Sequence, residues 1–157
     1  MAVELDLLSP NDRPALLGLS SPELLAGCQK TLQDLGYKVH RTASHADFLS
    51  RFAQVQYHLV ILEELFEATS ALENKALTSL QAMPMHQRRH AASLLLGRSY
   101  QTLHSLQAFQ QSVHAVINSA DLDKLPQIVQ KVTADNDLFY SVYRDAQLRL
   151  AQGKQGN

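Results

Sequence analysis

Polar side chains stand at the points where the short apolar runs of this sequence end. If those runs are parallel strands joined by helices, the points lie together at the carboxyl edge of one sheet, where functional sites are built. The polar residues are Ser20, Ser21, Glu63, Glu64, Arg98, Asn118 and Ser119, and Gly97 stands at the remaining strand end. Ser20–Glu23 has a serine cap, a proline and an acid, a pattern that begins a helix. The backbone amides of such a helix start offer a notch for an anion or small ligand.

Other reactive patterns are weaker. His86 and His90 are four residues apart, a spacing that metal ligands on one helical face often share. Arg88 and Arg89 lie between them without a cysteine or acid in register, so a solvated basic face is the better interpretation. Gly18 alone does not make a nucleotide-binding loop, and the seven histidines form no recognisable catalytic pairing. We expect no metal, no cofactor and no enzymatic activity.

Composition narrows the class of protein. The 157 residues carry 14 Lys and Arg against 15 Asp and Glu, for a formal net charge of -1. Nucleic-acid binders rely on neutralising phosphates, so no nucleic-acid partner is expected. The longest apolar stretches, Leu59–Leu62 and Leu94–Leu96, are too short to cross a bilayer, so no membrane partner is expected either. The single cysteine, Cys28, forms no internal disulfide and falls on an apolar helical stripe, which indicates a core position in a cytoplasmic protein.

Five apolar runs predict strands that alternate with helices. The predicted strands are Ala15–Leu19, Tyr37–Thr42, Tyr57–Leu62, Ala92–Leu96 and Val113–Ile117. The predicted helices begin at Ser20 and Ser44, surround Leu77 and Leu80 up to Pro84, span Thr102–Gln111 with Leu103, Leu106 and Phe109 as the apolar face, and span Leu122–Gln152. This alternation predicts a parallel sheet with helices on both faces.

The two ends of the chain are predicted to differ from its centre. Residues 1–14 form an extension or linker remnant, residues 15–152 one domain, and residues 153–157 a disordered tail. The last helix would be about 45 Å long, more than a sheet of short strands covers. Its first half, Leu125–Val132, should pack on the sheet. Its second half carries apolar residues that need a partner: the amino-terminal extension, a second copy, or another protein.

The order and spacing of these elements resemble the receiver domain of bacterial response regulators over about Ala15–Val132. Ala15–Glu23 is similar to the receiver's first strand and acidic pair, Tyr57–Glu63 to the third strand and phosphoacceptor, Leu94–Arg98 to the fourth strand, and His114–Ser119 to the fifth. The resemblance implies a flavodoxin-like α/β fold. Its five-stranded parallel sheet would have the order 2-1-3-4-5, with the last helix extended.

The resemblance assigns every reactive position to a residue that departs from the family pattern. Ser20 and Ser21 replace the paired acids, Glu63 the phosphoacceptor aspartate, Gly97 the hydroxyl residue, Ala115 the switch aromatic and Asn118 the lysine. Phosphoryl transfer to a carboxylate needs Mg²⁺ and a cation, and two serines bring no charge to hold the metal. Glutamate also extends its carboxylate by about an ångström beyond the reacting position of aspartate. These changes indicate a degenerate pocket.

The resemblance therefore implies a pseudo-receiver that signals through protein contacts without phosphorylation. Three segments also resemble a deltaproteobacterial subgroup whose domains follow a zinc ribbon: Met83–Arg89, Ser112–Asn118 and Asp137–Tyr140. The partner would be an unidentified protein or a second copy, and the candidate surface consists of Phe139, Tyr140, Tyr143 and Ala115. The alternatives are a small-ligand or anion sensor of the same fold and a receiver that is still phosphorylated. Glu63 either imitates a phosphorylated aspartate or is an ordinary acid at a strand end.

Overall fold

The computed structural model describes residues 8–156 and contains one five-stranded parallel sheet. The strands are β1 (Arg13–Gly18), β2 (Tyr37–Thr42), β3 (Leu59–Glu63), β4 (Ala92–Gly97) and β5 (Ala115–Asn118). Their order is β2-β1-β3-β4-β5, with every neighbouring pair parallel. The predicted flavodoxin-like fold is confirmed.

Six α-helices connect or follow these strands. They are α1 (Pro22–Asp34), α2 (His45–Gln54), α3 (Lys75–Ala82), α4 (Met85–Arg88), α5 (Ser105–Gln110) and α6 (Leu125–Gly156), and Ala71–Glu73 and Ser119–Lys124 form 3₁₀ turns. Ser21, Ser44 and Asn74 cap α1, α2 and α3 by accepting backbone N–H groups in the first turn. Gly36 ends α1 with φ +88°, a conformation that glycine adopts without steric cost.

The sheet separates two apolar layers. One layer packs the side chains of α1 and α6 on Leu17, Ile61 and Leu94. The other packs α2, α3 and α5 on the alternate strand residues, such as Leu62 and Leu95. Because successive strand residues point to opposite faces, continuous apolar runs are needed wherever both faces are covered. This requirement explains why the run in β3 is the clearest strand signal in the sequence.

Strand boundaries differ from the predictions by up to two residues. β1 begins at Arg13, inside the predicted extension, because Arg13 already pairs with Tyr37 of β2. Pro14 lacks an N–H group but is tolerated so close to the start of the strand. In contrast to β1, strands β3 and β5 begin two residues later than predicted. Residues 1–7 of the predicted extension lie outside the described residues, and the division into extension, domain and tail stays a prediction.

The helix predicted over Thr102–Gln111 is shorter, and its predicted apolar face points the wrong way. α5 begins only at Ser105, because Leu103 has φ +62° and donates its N–H to Val116 O at 2.9 Å. Leu103 is 50% exposed and Phe109 is 81% exposed, whereas Ala108 is buried against the sheet. The turn at Leu103 sets the rotation of α5 about its own axis. The face of α5 that carries the small side chain of Ala108 therefore packs on the sheet, and the large apolar side chains face outward.

The last helix follows the prediction in its first half. Leu125, Ile128 and Val129 are buried on the sheet, and the helix then continues past it. α6 extends to Gly156, past residue 153, where the predicted tail begins. One glycine, Gly153, lowers helix propensity by about 1 kcal/mol but does not end a helix by itself. None of the described helices is both long enough and apolar enough to cross a membrane.

Candidate functional site

The carboxyl edge of the sheet brings Glu63 to the start of α1. Oε1 of Glu63 accepts the backbone N–H of Ser20 at 2.8 Å and that of Ser21 at 3.0 Å. These amides belong to the helix start that the alternative of an anion sensor would use. The partial positive charge of the helix end favours a carboxylate at this point. The predicted notch is therefore already filled by the chain's own Glu63.

A second set of bonds fixes the loop that follows β3. Ser20 Oγ accepts the N–H of Glu67 at 2.8 Å and donates to Glu67 Oε2 at 3.0 Å. Glu67 has φ +46°, an uncommon conformation for a residue with a side chain. The amide of buried Asn74 donates to the carbonyls of Glu63 and Glu64 at 3.0 and 3.1 Å. Sequence reasoning missed Glu67 and Asn74, although a helix-capping asparagine was a visible signal at position 74.

Gly97 makes room for an acid. A Cβ atom at this position would lie 2.7 Å from Glu64 Oε1 and 3.0 Å from the ring of Tyr100. The same Glu64 carboxylate accepts the hydroxyl of Ser99 at 2.8 Å. Burial, and then the charge of Glu64, raise the pKa of Tyr100. The receiver resemblance assigns a hydroxyl residue to position 97. The space that its side chain would need is taken by the side chains of Glu64 and Tyr100.

Asn118 stands where the resemblance expects a lysine, and its contacts are structural. Its side-chain amide donates to Tyr100 O at 2.8 Å, and its Oδ1 accepts the N–H of Ala120 at 2.9 Å. Its backbone N–H donates to Thr102 Oγ1 at 2.9 Å. Asn118 thus braces the loop after β4 and caps the 3₁₀ turn that leads into α6.

The five predicted pocket residues lie at one edge of the sheet, and the side chains of Glu63 and Asn118 are hydrogen-bonded to the chain's own backbone. The described residues contain no group of three His, Cys, Asp or Glu side chains able to hold a metal ion. Cys28 lies buried behind this edge, and burial, followed by the negative charge of Glu63, raises its pKa to about 12. The thiol is accordingly a core group, as predicted.

A groove of about 920 Å³ lies at the other predicted surface, between α5 and α6. Its lining comprises Met85, Arg89, Leu103, His104, Ser105, Ala108, His114, Ala115, Lys131, Val132, Asp135, Asn136, Phe139, Tyr140 and Tyr143. All four residues of the predicted interaction surface are among them. Phe139 is 66% exposed, but Ala115 is only 4% exposed and contributes to the floor of the groove.

His114 forms part of this floor and was missed by sequence reasoning. Its Nδ1 accepts the N–H of Ser93 at 3.0 Å, so the ring proton lies on Nε2, which donates to Asn136 Oδ1 at 2.9 Å. Burial, and then the nearby charge of Arg89, lower the pKa of His114 to about 4. His114 therefore contributes a neutral imidazole to the groove floor, and its hydrogen bonds connect β4 and α6 at the start of β5.

The expected solvated basic face around His86 and His90 is wrong in part. α4 ends at Arg88, so the two histidines do not share a helical face. His90 stacks on Phe52 with ring centroids 5.6 Å apart, while His86 is exposed. The Arg88 guanidinium donates to two backbone carbonyls and thereby joins α4 to the end of α5.

Comparison with known proteins identifies the fold. No protein-family model and no curated protein matches this sequence. Among solved structures, the receiver domain protein of Methanospirillum hungatei matches with a TM-score of 0.63 and 12% identity, over 81% of this chain and 98% of its own. The chemotaxis response regulator CheY4 of Vibrio cholerae matches with a TM-score of 0.63 and 15% identity, over 78% and 99%. This chain has the receiver fold.

A Burkholderia pseudomallei protein whose name relates it to pilus assembly has the same architecture. Its TM-score is 0.58 at 18% identity, over 82% of this chain and 95% of its own. At such identities the shared property is the receiver fold itself. Within that fold, Glu63 is the last residue of β3 and Asn118 is the last residue of β5, and their assignment to receiver positions stays a prediction.

Proposed function

We propose that this protein is a pseudo-receiver that signals through protein–protein contacts, without phosphorylation, in a bacterial regulatory system. The observation that carries the proposal is the Glu63 carboxylate bound by the amides of Ser20 and Ser21. A carboxylate that accepts hydrogen bonds from two backbone N–H groups has a structural role. The proposal also places the protein in the cytoplasm, in keeping with its single buried cysteine, and its relation to the deltaproteobacterial subgroup stays a prediction.

The chemistry around Glu63 supports the absence of phosphoryl transfer. Transfer to a carboxylate requires a metal ion that neutralises the charge on the phosphoryl oxygens. Ser20 and Ser21 bring no carboxylate to such a metal, and Asn118 brings no positive charge. Gly97 faces the Glu64 carboxylate, which would repel an incoming phosphoryl group. Each of these features weighs against the alternative of a receiver that is still phosphorylated.

The same geometry weighs against the alternative of an anion sensor at the start of α1. An anion from solution would have to displace Glu63, which is covalently tethered to the chain and therefore binds at a high effective concentration. The exposed apolar side chains of the groove favour protein contact instead. Signalling would then depend on which protein occupies the groove, and Glu63 would hold the carboxyl edge of the sheet in one conformation.

Phosphodonor treatment tests this proposal directly. The full chain is incubated with acetyl phosphate and Mg²⁺ and its intact mass is measured, beside a receiver domain that is known to accept a phosphoryl group. We expect no change in mass, and we expect Glu63→Asp alone to behave in the same way because the acidic pair is still missing. A stoichiometric gain of one phosphoryl group by the unmodified protein would overturn the proposal.

A further inference from the structure

A small cavity lies at the amino edge of the sheet, at the edge opposite to the predicted pocket, where Val60 and Ser93 stand near the starts of β3 and β4. Its volume is about 20 Å³, which is room for one guest of about the size of a water molecule. Leu77, Leu80 and Val113 form part of its apolar lining. The polar side chains of the lining include Gln81, Arg88, Arg89, Ser93, Gln111 and His114. Cationic and neutral groups thus surround a space that is large enough for a single small ion.

Within the described part of the chain, no carboxylate lines this cavity. Phe52 and Val60 belong to α2 and β3, and every other lining residue comes from the segment 74–120. That segment contains no Asp or Glu, and its cationic residues are Lys75, Arg88, Arg89 and Arg98. Asp135 of α6, which lines the neighbouring groove, pairs with Lys131 at 2.7 Å. The positive charge at the cavity therefore has no counter-charge among the residues that line it.

Arg88 is held at the cavity by neutral partners. Its Nε donates to Met83 O at 3.0 Å, and its Nη1 donates to Ser112 O at 3.1 Å. These two carbonyls fix the position of the guanidinium but do not neutralise its charge. Burial, and then the charge of Arg89, lower the pKa of Arg88, because a second guanidinium lies nearby. An anion at the cavity would relieve this repulsion.

Arg89 faces a donor instead of an acceptor. Its Nη1 lies 3.4 Å from Nε2 of His114, which carries the ring proton because Nδ1 accepts the N–H of Ser93. The same Nε2–H donates to Asn136 Oδ1, and Nδ2 of Asn136 donates to Arg89 O. Over residues 8–153, the guanidinium of Arg89 has no carboxylate within ion-pair distance and no oxygen that accepts its N–H groups. This half-buried cation therefore lacks an acceptor.

We propose that this cavity binds a chloride ion from solution, held by the guanidinium groups of Arg88 and Arg89. The site lies at the opposite edge of the sheet from the start of α1, and the inference goes beyond the proposed function without resting on it. A chloride ion supplies an acceptor for the N–H groups of Arg89 and a negative charge beside two like charges. A water molecule of similar size supplies only the acceptor.

The size and the lining of the cavity favour chloride over other anions. Phosphate and sulfate are larger than a space of about 20 Å³ accommodates. They are also strongly hydrated, and the apolar side chains of Leu77, Leu80 and Val113 cannot replace the water that such an ion would lose. The guanidinium group is itself weakly hydrated, which suits a weakly hydrated partner. The carboxylate of a partner protein would have to bring its carbon chain into the same small space.

Thermal unfolding of the full chain tests the proposal. The Tm is measured while sodium chloride replaces sodium gluconate at constant ionic strength, and we expect a saturable rise of about 3–5 °C at about ten times the dissociation constant. Arg89→Gln should lose this rise. In gluconate alone it should be at least as stable as the unmodified protein, because the repulsion with Arg88 is gone. Arg98→Gln is the matched control and should keep the full rise, because Arg98 belongs to the same segment but is exposed at the carboxyl edge of the sheet.

Nuclear magnetic resonance locates the ion in the unmodified protein, so this measurement does not depend on how a variant folds. The Nε–H cross-peaks of the arginine side chains are assigned by substitution and recorded during the same replacement of gluconate by chloride. We expect the peaks of Arg88 and Arg89 to move along one saturation curve, with the dissociation constant that the Tm gives. The peak of Arg98 should stay in place.

Three results would overturn the inference. The first is an equal dependence of the Tm on chloride in Arg89→Gln and Arg98→Gln, which would show a general salt effect. The second is stabilisation by phosphate at a lower concentration than by chloride, which would assign the two arginines to a larger oxyanion. The third is a lack of movement of the Arg88 and Arg89 peaks, which would leave water as the occupant. None of these experiments uses a phosphodonor, so a failure here is distinguishable from phosphorylation of the protein, which would contradict the proposed function.

Discussion

Removing the Glu63 carboxylate is expected to destabilise the fold, although the residue lies at the surface edge of the sheet. Its Oε1 accepts two backbone N–H groups at 2.8 and 3.0 Å, from Ser20 and Ser21. In Glu63→Ala both amides lose their acceptor. They also lose a negative charge at the positive end of α1. The hydrogen bonds between Ser20 and Glu67 remain and still hold the loop after β3 to the β1–α1 connection.

The magnitude follows from the number and the exposure of these bonds. A hydrogen bond to a charged group contributes about 1.5–3 kcal/mol when it is buried, and a charge at a helix start about 0.3–1 kcal/mol. Water replaces part of the loss, because Glu63 and Ser21 are only half-buried. We expect Glu63→Ala to lower the free energy of unfolding by about 2 kcal/mol, which for a chain of this size is a fall in Tm of about 4–8 °C.

Two further variants separate the bonds from the charge. Glu63→Gln keeps an acceptor oxygen but loses the charge, and we expect about half of the effect. Glu23→Ala is the matched control, because Glu23 is another acid in the first turn of α1, and we expect about 0.5 kcal/mol from the helix dipole alone. All variants are compared by urea unfolding with an unchanged m value.

The result that would refute this reasoning is equally specific. If Glu63→Ala costs no more than Glu23→Ala, the carboxylate does not bind the two amides in solution. A positive result has a corollary: in Glu63→Ala the vacated notch should bind formate, which should raise the Tm of this variant and leave that of the unmodified protein unchanged. Formate that stabilises both proteins equally would show a general salt effect.

The other predictions concern the core and the groove. Because burial lowers the pKa of His114 to about 4 from an ordinary value of 6.5, stability should be complete above pH 6.5 and fall as the pH drops toward 4. The loss should reach about 2–3 kcal/mol at about pH 4.5, and urea unfolding of His114→Gln should show a flatter pH profile. Leu95→Ala, at a fully buried position, should cost about 2–5 kcal/mol, and a loss below about 1 kcal/mol would contradict the described packing. Phe139→Ala with Tyr143→Ala should change stability by less than about 0.5 kcal/mol while reducing recovery of the partner from a host lysate, and equal recovery would remove these residues from the interface.

The fold was predictable because its signals are local. Leu59–Leu62 and Leu94–Leu96 are continuous apolar runs that only a strand buried on both faces requires. Ser21 and Ser44 begin their helices for reasons contained within four residues of sequence. Such features depend little on the rest of the chain, so the element types and their order could be predicted even where their ends could not.

The arrangement of the site was not predictable, because it depends on contacts between distant residues. Glu63 and Ser21 are 42 residues apart, and no pattern in either segment indicates that one would bind the other. The orientation of α5 was predicted wrongly for a related reason. Its apolar spacing suggested burial of Phe109, but the turn at Leu103 is set by a bond to β5 and turns that side outward.

Asn118 lies between the predicted pocket and the groove. Its side chain donates to Tyr100 O, and its backbone N–H donates to Thr102 Oγ1, so it fixes both ends of the short stretch that leads to Leu103. Leu103 in turn forms one wall of the groove. A lysine at this position has no acceptor oxygen for the N–H of Ala120, and it would place a charge beside backbone groups that now pair with a neutral amide. Asn118 therefore holds one wall of the groove in place, and in the proposed pseudo-receiver the same residue leaves the predicted pocket without a cation.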